Sequence, residues 1–206
     1  MPIFIRVAFI ALVLLSTGCG RAYQTEHIET SNFLDDYSLL KGGQQGEALL
    51  SYWKSGTDWA FYKKVIVDPV AIRKTPDSKL NELPHADNYR LKELFDYRIR
   101  EALKTDFKLV TKPGPDTLRI QFAITDADTE SYIGKASVEG KITDSQTGEL
   151  LMASADSRAG GKTLIGIFNG WDDIALAYQY WAAQLSYQLC EKQGHSPSCR
   201  KPKSPA

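Results

Sequence analysis

The hydrophobic period changes twice along this chain, and those changes limit the folds open to it. From Tyr89 to about Asp106, Leu91, Leu94, Phe95, Ile99, Ala102 and Leu103 recur at spacings of three and four. Arg90, Lys92, Glu93, Asp96, Arg100, Glu101 and Lys104 take the other side, which is the repeat of an amphipathic helix. Lys112-Pro113-Gly114-Pro115-Asp116 then breaks the chain, and the period becomes two. Leu118, Ile120, Phe122 and Ile124 alternate with Arg119, Gln121, Ala123 and Thr125; further on, Tyr132, Ala136, Val138 and Ile142 oppose Lys135, Ser137, Glu139 and Lys141. Such alternation predicts antiparallel strands with one dry and one wet face. Asp144 to Gly148 fits a hairpin loop with glycine at its left-handed position, and Glu149 to Ala155 supplies the return strand. The helical period resumes near Trp171 and runs to about Glu191, with Ile174, Tyr178, Trp181, Leu185 and Leu189 in one stripe. Asn169 or Gly170 can cap this helix, and Asp172 and Asp173 fall in its first turn, where the helix dipole favours negative charge.

Upstream, Phe61 to Val70 is aromatic and β-branched and reads as a strand, with Pro69 pulling its end out of the ladder. Residues 74–88 form a loop with a short helical turn over Ser78 to Leu83 and a helix start near Asp87 or Asn88. Phe107 to Val110 is a short strand. The order strand, helix, short strand, three antiparallel strands, helix predicts an α+β two-layer sandwich. Its sheet is mostly antiparallel, with two main helices packed on one face. The expected organisation is a leader over 1–18, a tether and N-terminal extension over 19–60, one domain over 61–193 and a C-terminal tail over 194–206.

The leader has a single charged residue, Arg6, then the apolar run Val7 to Leu15, then Ser16-Thr17-Gly18-Cys19. A bilayer-spanning helix needs roughly 20 apolar residues, so this run reads as a secretory signal peptide. The cysteine after Gly18 makes it resemble the bacterial lipoprotein class, in which signal peptidase II cuts before the cysteine and the thiol is lipidated. Leu15 lies one step further from Cys19 than that pattern places its leucine, so ordinary secretion and an uncleaved anchor stay open beside lipidation at Cys19. Gly20 is not the aspartate that resembles an inner-membrane retention signal, which favours the inner leaflet of the outer membrane, facing the periplasm.

With Cys19 committed to lipid, Cys190 and Cys199 remain in an oxidising compartment. A Cys190–Cys199 disulfide would staple the tail to the last helix and contribute about 2–3 kcal/mol at most; two free thiols are the alternative. The chain has 25 basic and 25 acidic side chains, and loss of Arg6 with the leader leaves 24 against 25. Such balance offers no long-range attraction to nucleic acid.

Few motifs survive inspection. Gly161-Lys162-Thr163 invites a phosphate-loop reading, but position 156, where that loop needs glycine, is Asp; no nucleotide is expected. His27, His85 and His195 lie far apart with no metal or triad spacing, and there is no Gly-x-Ser-x-Gly elbow. Asp126, Asp128 and Glu130 read as a solvated turn, with a loose Ca²⁺ site as the alternative. Trp53, Trp59, Tyr52 and Tyr62 are read as core or as a groove for glycan rings. Leu164-Ile165-Gly166-Ile167-Phe168, strongly apolar between glycines, has three readings: core-packed crossover, membrane- or partner-contacting lobe, or lid of an apolar pocket.

Three segments carry a family resemblance: Asn32-Phe-Leu-Asp-Asp-Tyr-Ser-Leu-Leu40, Tyr62-Lys-Lys-Val-Ile-Val-Asp-Pro-Val70, and Trp171-Asp-Asp-Ile-Ala with Tyr180-Trp-Ala-Ala183. Together they resemble the signature segments of DUF3313, a family of uncharacterised bacterial lipoproteins, over nearly the whole mature chain. The resemblance implies a lipid anchor and a closed C-terminal helix, and brings no catalytic residues. The expectation is a periplasm-facing, outer-membrane-anchored lipoprotein that binds rather than catalyses. It needs no cofactor, touches the membrane through Cys19 and serves an envelope protein partner. Carriage of a small apolar or glycan ligand, and envelope hydrolysis, are the rivals.

Overall fold

The computed structural model describes residues 22–44, 46–131, 133–160 and 170–202. The leader, Cys19, Tyr132, Asn169, Gly161-Lys162-Thr163 and Leu164 to Phe168 lie outside the described residues. Among those described, nine strands make one mixed sheet: β1 (Ala22–Gln24), β2 (Lys41–Gly42), β3 (Leu50–Trp53), β4 (Lys64–Val67), β5 (Ala71–Ile72), β6 (Lys108–Leu109), β7 (Thr117–Asp128), β8 (Lys135–Asp144) and β9 (Leu150–Gly160). The order is β2-β3-β9-β8-β7-β4-β6, with β1 also on β9 and β5 also on β7. The three long strands are antiparallel, while β4 and β5 run parallel to β7. Two helices, α1 (His85–Leu103) and α2 (Gly170–Lys192), complete the expected α+β sandwich.

The helices lie side by side in the same direction: Arg90 sits over Trp171, Phe95 stacks on Tyr178, and Ser186 reaches Asp106. The α1 stripe Leu91, Phe95, Ile99 and Leu103 is fully buried, as are Ile174, Tyr178 and Leu189 of α2. Phe95 is the hub, with ring centroids 4.6 Å from Tyr178, 5.2 Å from Phe122 and 6.0 Å from Trp181. Aromatic pairs in these offset and edge arrangements contribute beyond their buried area. The Phe122 ring lies across β8 where Gly140 stands; a Cβ there would collide with the ring.

Four sequence expectations change. Residues 22–47, read as tether and turn, contribute β1 and β2 to the sheet, β1 on the edge of β9 and β2 on β3, the short strand that follows them. The strand expected over 61–70 is interrupted: β4 ends at Val67, Pro69 cannot donate to the ladder, and β5 begins at Ala71. Helix α1 begins at His85, directly after Pro84, and the Asn88 amide donates back to Leu83 and Pro84 carbonyls instead of capping. Finally, the face expected to be wet is covered: Ser137 and Glu139 are 4% and 0% exposed. Cys190 and Cys199 form the disulfide, with Cα atoms 5.7 Å apart.

Candidate binding surfaces

The second face of the sheet is built from small and polar side chains. In register across β7, β8 and β9 lie Ala123, Glu139 and Ala155, opposite in facing to the row Phe122, Gly140 and Ser154 that meets the helices. The alanines leave a trough on either side of Glu139, and residues 25–40 run across it as a strap. Ser31 donates its backbone N–H (2.8 Å) and hydroxyl (3.0 Å) to the Glu139 carboxyl, and the Tyr37 hydroxyl donates at 2.7 Å. Asn32, at φ 61°, makes the left-handed turn that asparagine tolerates, and Leu34 is buried one step beyond Phe33. Lys141 closes the strap from outside, paired with Asp35 at 2.9 Å and lying over the Phe33 ring. Burial, together with the bond to Glu139, pushes the Tyr37 phenol above its ordinary value.

A second buried carboxyl, Asp156, stands at the gap between β1 and β3 on the edge of β9. It accepts from Gln24 Nε2 (2.6 Å), Leu49 N (3.0 Å), Arg158 Nε (3.1 Å) and Trp181 Nε1 (2.6 Å). One side chain thus ties β1, the approach to β3, β9 and α2. Beside it, Trp53, Met152, Trp181, Leu185, Phe122 and Val138 line an apolar cleft of about 50 Å³ between α2 and β3. That is room for a water or two, far below the roughly 300–1,000 Å³ of a drug-sized ligand site. Gln184 donates to Gly46 O at 2.6 Å and ties the loop before β3 to α2 above the cleft.

A polar cleft of about 240 Å³ opens on the strap side between His27, Glu29, Thr75, Thr125, Asp126 and Lys135. Thr125 is the extra residue of a β-bulge, and its buried hydroxyl has no partner among the described residues. Asp126 is already engaged there by the Ser78 hydroxyl, Lys79 N and Lys135.

The sequence candidates separate clearly. Trp59 and Tyr62 are buried in the core, whereas Tyr52 and Trp53 are half-buried; Trp53 packs edge-on against Trp59 at 5.3 Å and is the one of the four that reaches the apolar cleft. Asp128 accepts from Glu130 N, Ser131 N and the Ser131 hydroxyl; burial opposes its ionisation, but these bonds hold its carboxyl below the ordinary value, as suits a turn. Among the described residues, no three His, Cys, Asp or Glu side chains gather as metal ligands. All three histidines are exposed. Asp173 does more than complement the dipole: it is buried and accepts from Gly134 N at 2.9 Å, and burial pushes its carboxyl up. Nothing in the sequence marks Glu139, Asp156 and Asp173 as buried anchors, because a lone acid in an alternating strand or in the first turn of a helix looks the same whether water or the protein's own chain covers it.

Solved structures resemble the fold at low identity. A point variant of the PelC dodecamer from Paraburkholderia phytofirmans is 12% identical, with 69% of this chain and 95% of that chain covered and a TM-score of 0.41. A Xanthomonas campestris protein of the DUF330 family is 12% identical, covering 66% and 88% with a TM-score of 0.38. Lipoprotein GNA1162 from Neisseria meningitidis is 10% identical, covering 46% and 78% with a TM-score of 0.27. No curated protein matches the chain significantly in sequence. The family model of DUF3313, a protein of unknown function, matches residues 29–132 and 128–185, and the chain belongs to that family.

Proposed function

We propose that this protein is a lipoprotein anchored in the outer membrane through Cys19, facing the periplasm, and that it works as a non-catalytic binding or structural accessory of the cell envelope. One observation carries the reading: the buried carboxyls are occupied with the protein's own chain. Glu139 holds the strap, Asp156 joins four elements and Asp173 holds Gly134. A general acid or base must be within hydrogen-bond reach of a substrate proton, and these groups face inward instead. The exposed, separated histidines support the same view. Among the described residues no helix is long and apolar enough to cross a membrane.

Two measurements on native cells test the proposal. Wild-type protein should incorporate labelled palmitate and sediment with outer membranes, and Cys19→Ser should do neither. Cross-linking of the lipidated protein in intact cells, followed by its purification, should recover one envelope protein in stoichiometric amount. Labelling of Cys19→Ser, or repeated recovery of the protein without any such partner, would sink the corresponding half of the proposal.

A further inference from the structure

The fold has two poles, and the chain toward Cys19 leaves from only one of them. Ala22 pairs with Gly160, the last residue of β9. Gly160 N donates to Gly134 O at 2.8 Å, just before β8 begins. Gly134 lies against the first residue of α2, Gly170, so closely that a Cβ on it would strike that backbone, and Gly170 lies equally close to Thr129 beyond the end of β7. Arg90, near the start of α1, stands 4.1 Å above the Trp171 ring. The start of β1, the ends of β7 and β9, the start of β8 and the N-termini of both parallel helices therefore meet at one end. The turn after β8, the C-terminal ends of the helices and the Cys190–Cys199 bridge lie at the other.

Two residues, Gly20 and Arg21, separate Cys19 from Ala22. Three Cα steps reach at most about 10–11 Å, whereas the body extends about 35 Å from pole to pole along α2. An acylated Cys19 would thus hold the first pole at the bilayer and leave no length for the other to reach it. This pole also carries the chemistry of a membrane interface. Tyr23 is 50% exposed and Tyr89 62% exposed, and Arg90 stacks on the half-buried Trp171 at the same end. Tyrosine and tryptophan favour the headgroup region, where an apolar ring and a polar edge are both satisfied.

From this placement we infer that the glycine-lined pole is a phospholipid-contacting surface, with Tyr23 and Tyr89 at the headgroup level, and that the body stands off the membrane with its disulfide-bearing pole toward the periplasm. The inference rests on lipidation at Cys19. It goes beyond a tether, because it assigns one orientation to the domain and leaves the opposite pole for a protein partner.

The experiment uses the processed, lipidated full chain reconstituted in liposomes of phosphatidylethanolamine and phosphatidylglycerol. Intact mass first establishes whether acyl groups are present. Nitroxide labels are then attached to Tyr23→Cys, Tyr89→Cys and, in the exposed turn at the far pole, Gln146→Cys. Accessibility to a water-soluble nickel relaxant is compared with that of the same proteins in aqueous buffer with a mild detergent. Labels at 23 and 89 should lose accessibility on reconstitution, as burial at the headgroup boundary requires, while the label at 146 stays unchanged. An acylated protein with all three labels equally accessible, or with 146 shielded, overturns the pole assignment and leaves the anchor standing. A mass without acyl groups overturns both.

Discussion

The two faces of one sheet are covered in opposite ways. On the helix side, Leu118, Ile120, Phe122 and Ile124 meet Phe95, Tyr178 and Trp181, and the contact is large, apolar and dry. On the strap side, Ala123, Glu139, Ala155, Ser137 and Ser157 meet a single thickness of chain held by hydroxyls and a buried carboxyl. The helix side gains from area: burying one large apolar side chain is worth about 1.5–3 kcal/mol. The strap side depends on complete hydrogen bonding, since a net contribution near 1 kcal/mol per bond turns into a penalty when a buried group loses its partner. The first cover is spread over many apolar contacts, with the Asp156–Trp181 bond as a polar tie within it, and the second is specified by very few groups.

That contrast can be broken most forcefully at Phe95. Phe95→Ala removes the ring shared by Tyr178, Phe122 and Trp181, and a cost of about 3–5 kcal/mol is expected from lost transfer energy plus the cavity. Urea unfolding followed by tryptophan fluorescence should show a lower midpoint for the whole domain. A loss confined to residues 25–40 would contradict the division into a global core and a local cover.

Glu139→Ala should come next, at about 2–3 kcal/mol, because the Ser31 amide and hydroxyl and the Tyr37 hydroxyl lose their shared acceptor. Its signature is local. Limited proteolysis should cut within 25–40 well before the domain unfolds, and amide exchange there should rise while α1 and α2 stay protected. Equal loosening of both faces would show that the strap is not an independent cover.

The smallest effect is expected at Tyr37. Tyr37→Phe removes the 2.7 Å bond to Glu139 at about 1 kcal/mol. The wild-type phenol adds a pH dependence of known sign. Its folded value is raised above 10.0, first by burial and then by Glu139, so its contribution is complete below pH 10 and disappears as pH rises through the folded value. Exchange in the strap should accelerate over that alkaline window in the wild type and lose this step in Tyr37→Phe. Tyr62, pushed up to about 12 by burial and by Asp144, should report on its own bond to Asp144 instead.

The elements that were legible in the sequence share one property: their pattern is carried by many residues of the same kind. The α1 and α2 stripes, and the alternation through β7, β8 and β9, repeat often enough to mark both period and face. Cys190 and Cys199 were legible for a different reason, since compartment and arithmetic left them each other. The strap was not legible. Ser31, Asn32 and Tyr37 look like ordinary surface residues, and Glu139 alternates with Val138 as a solvated acid would. Asp156 and Asp173 likewise give no local sign that they join Gln24, Leu49 and Trp181, or Gly134.

Local chemistry therefore set the period of the long elements and the helix-facing side of the strands, and it pointed to the cysteine pairing and the family that the disulfide geometry and the family match then showed. Long-range geometry settled what lies on the other side. Whether an alternating strand keeps its second face wet depends on segments more than 100 residues away: Glu139 and Ser31 are 108 apart, and Glu139 and Tyr37 are 102 apart. A short-range period records the burial that helices and strands impose on themselves, but not which distant chain will lie across them. Pairing of Ala22 with Gly160 is the same kind of fact, and it places the start of β1 at one pole of the fold.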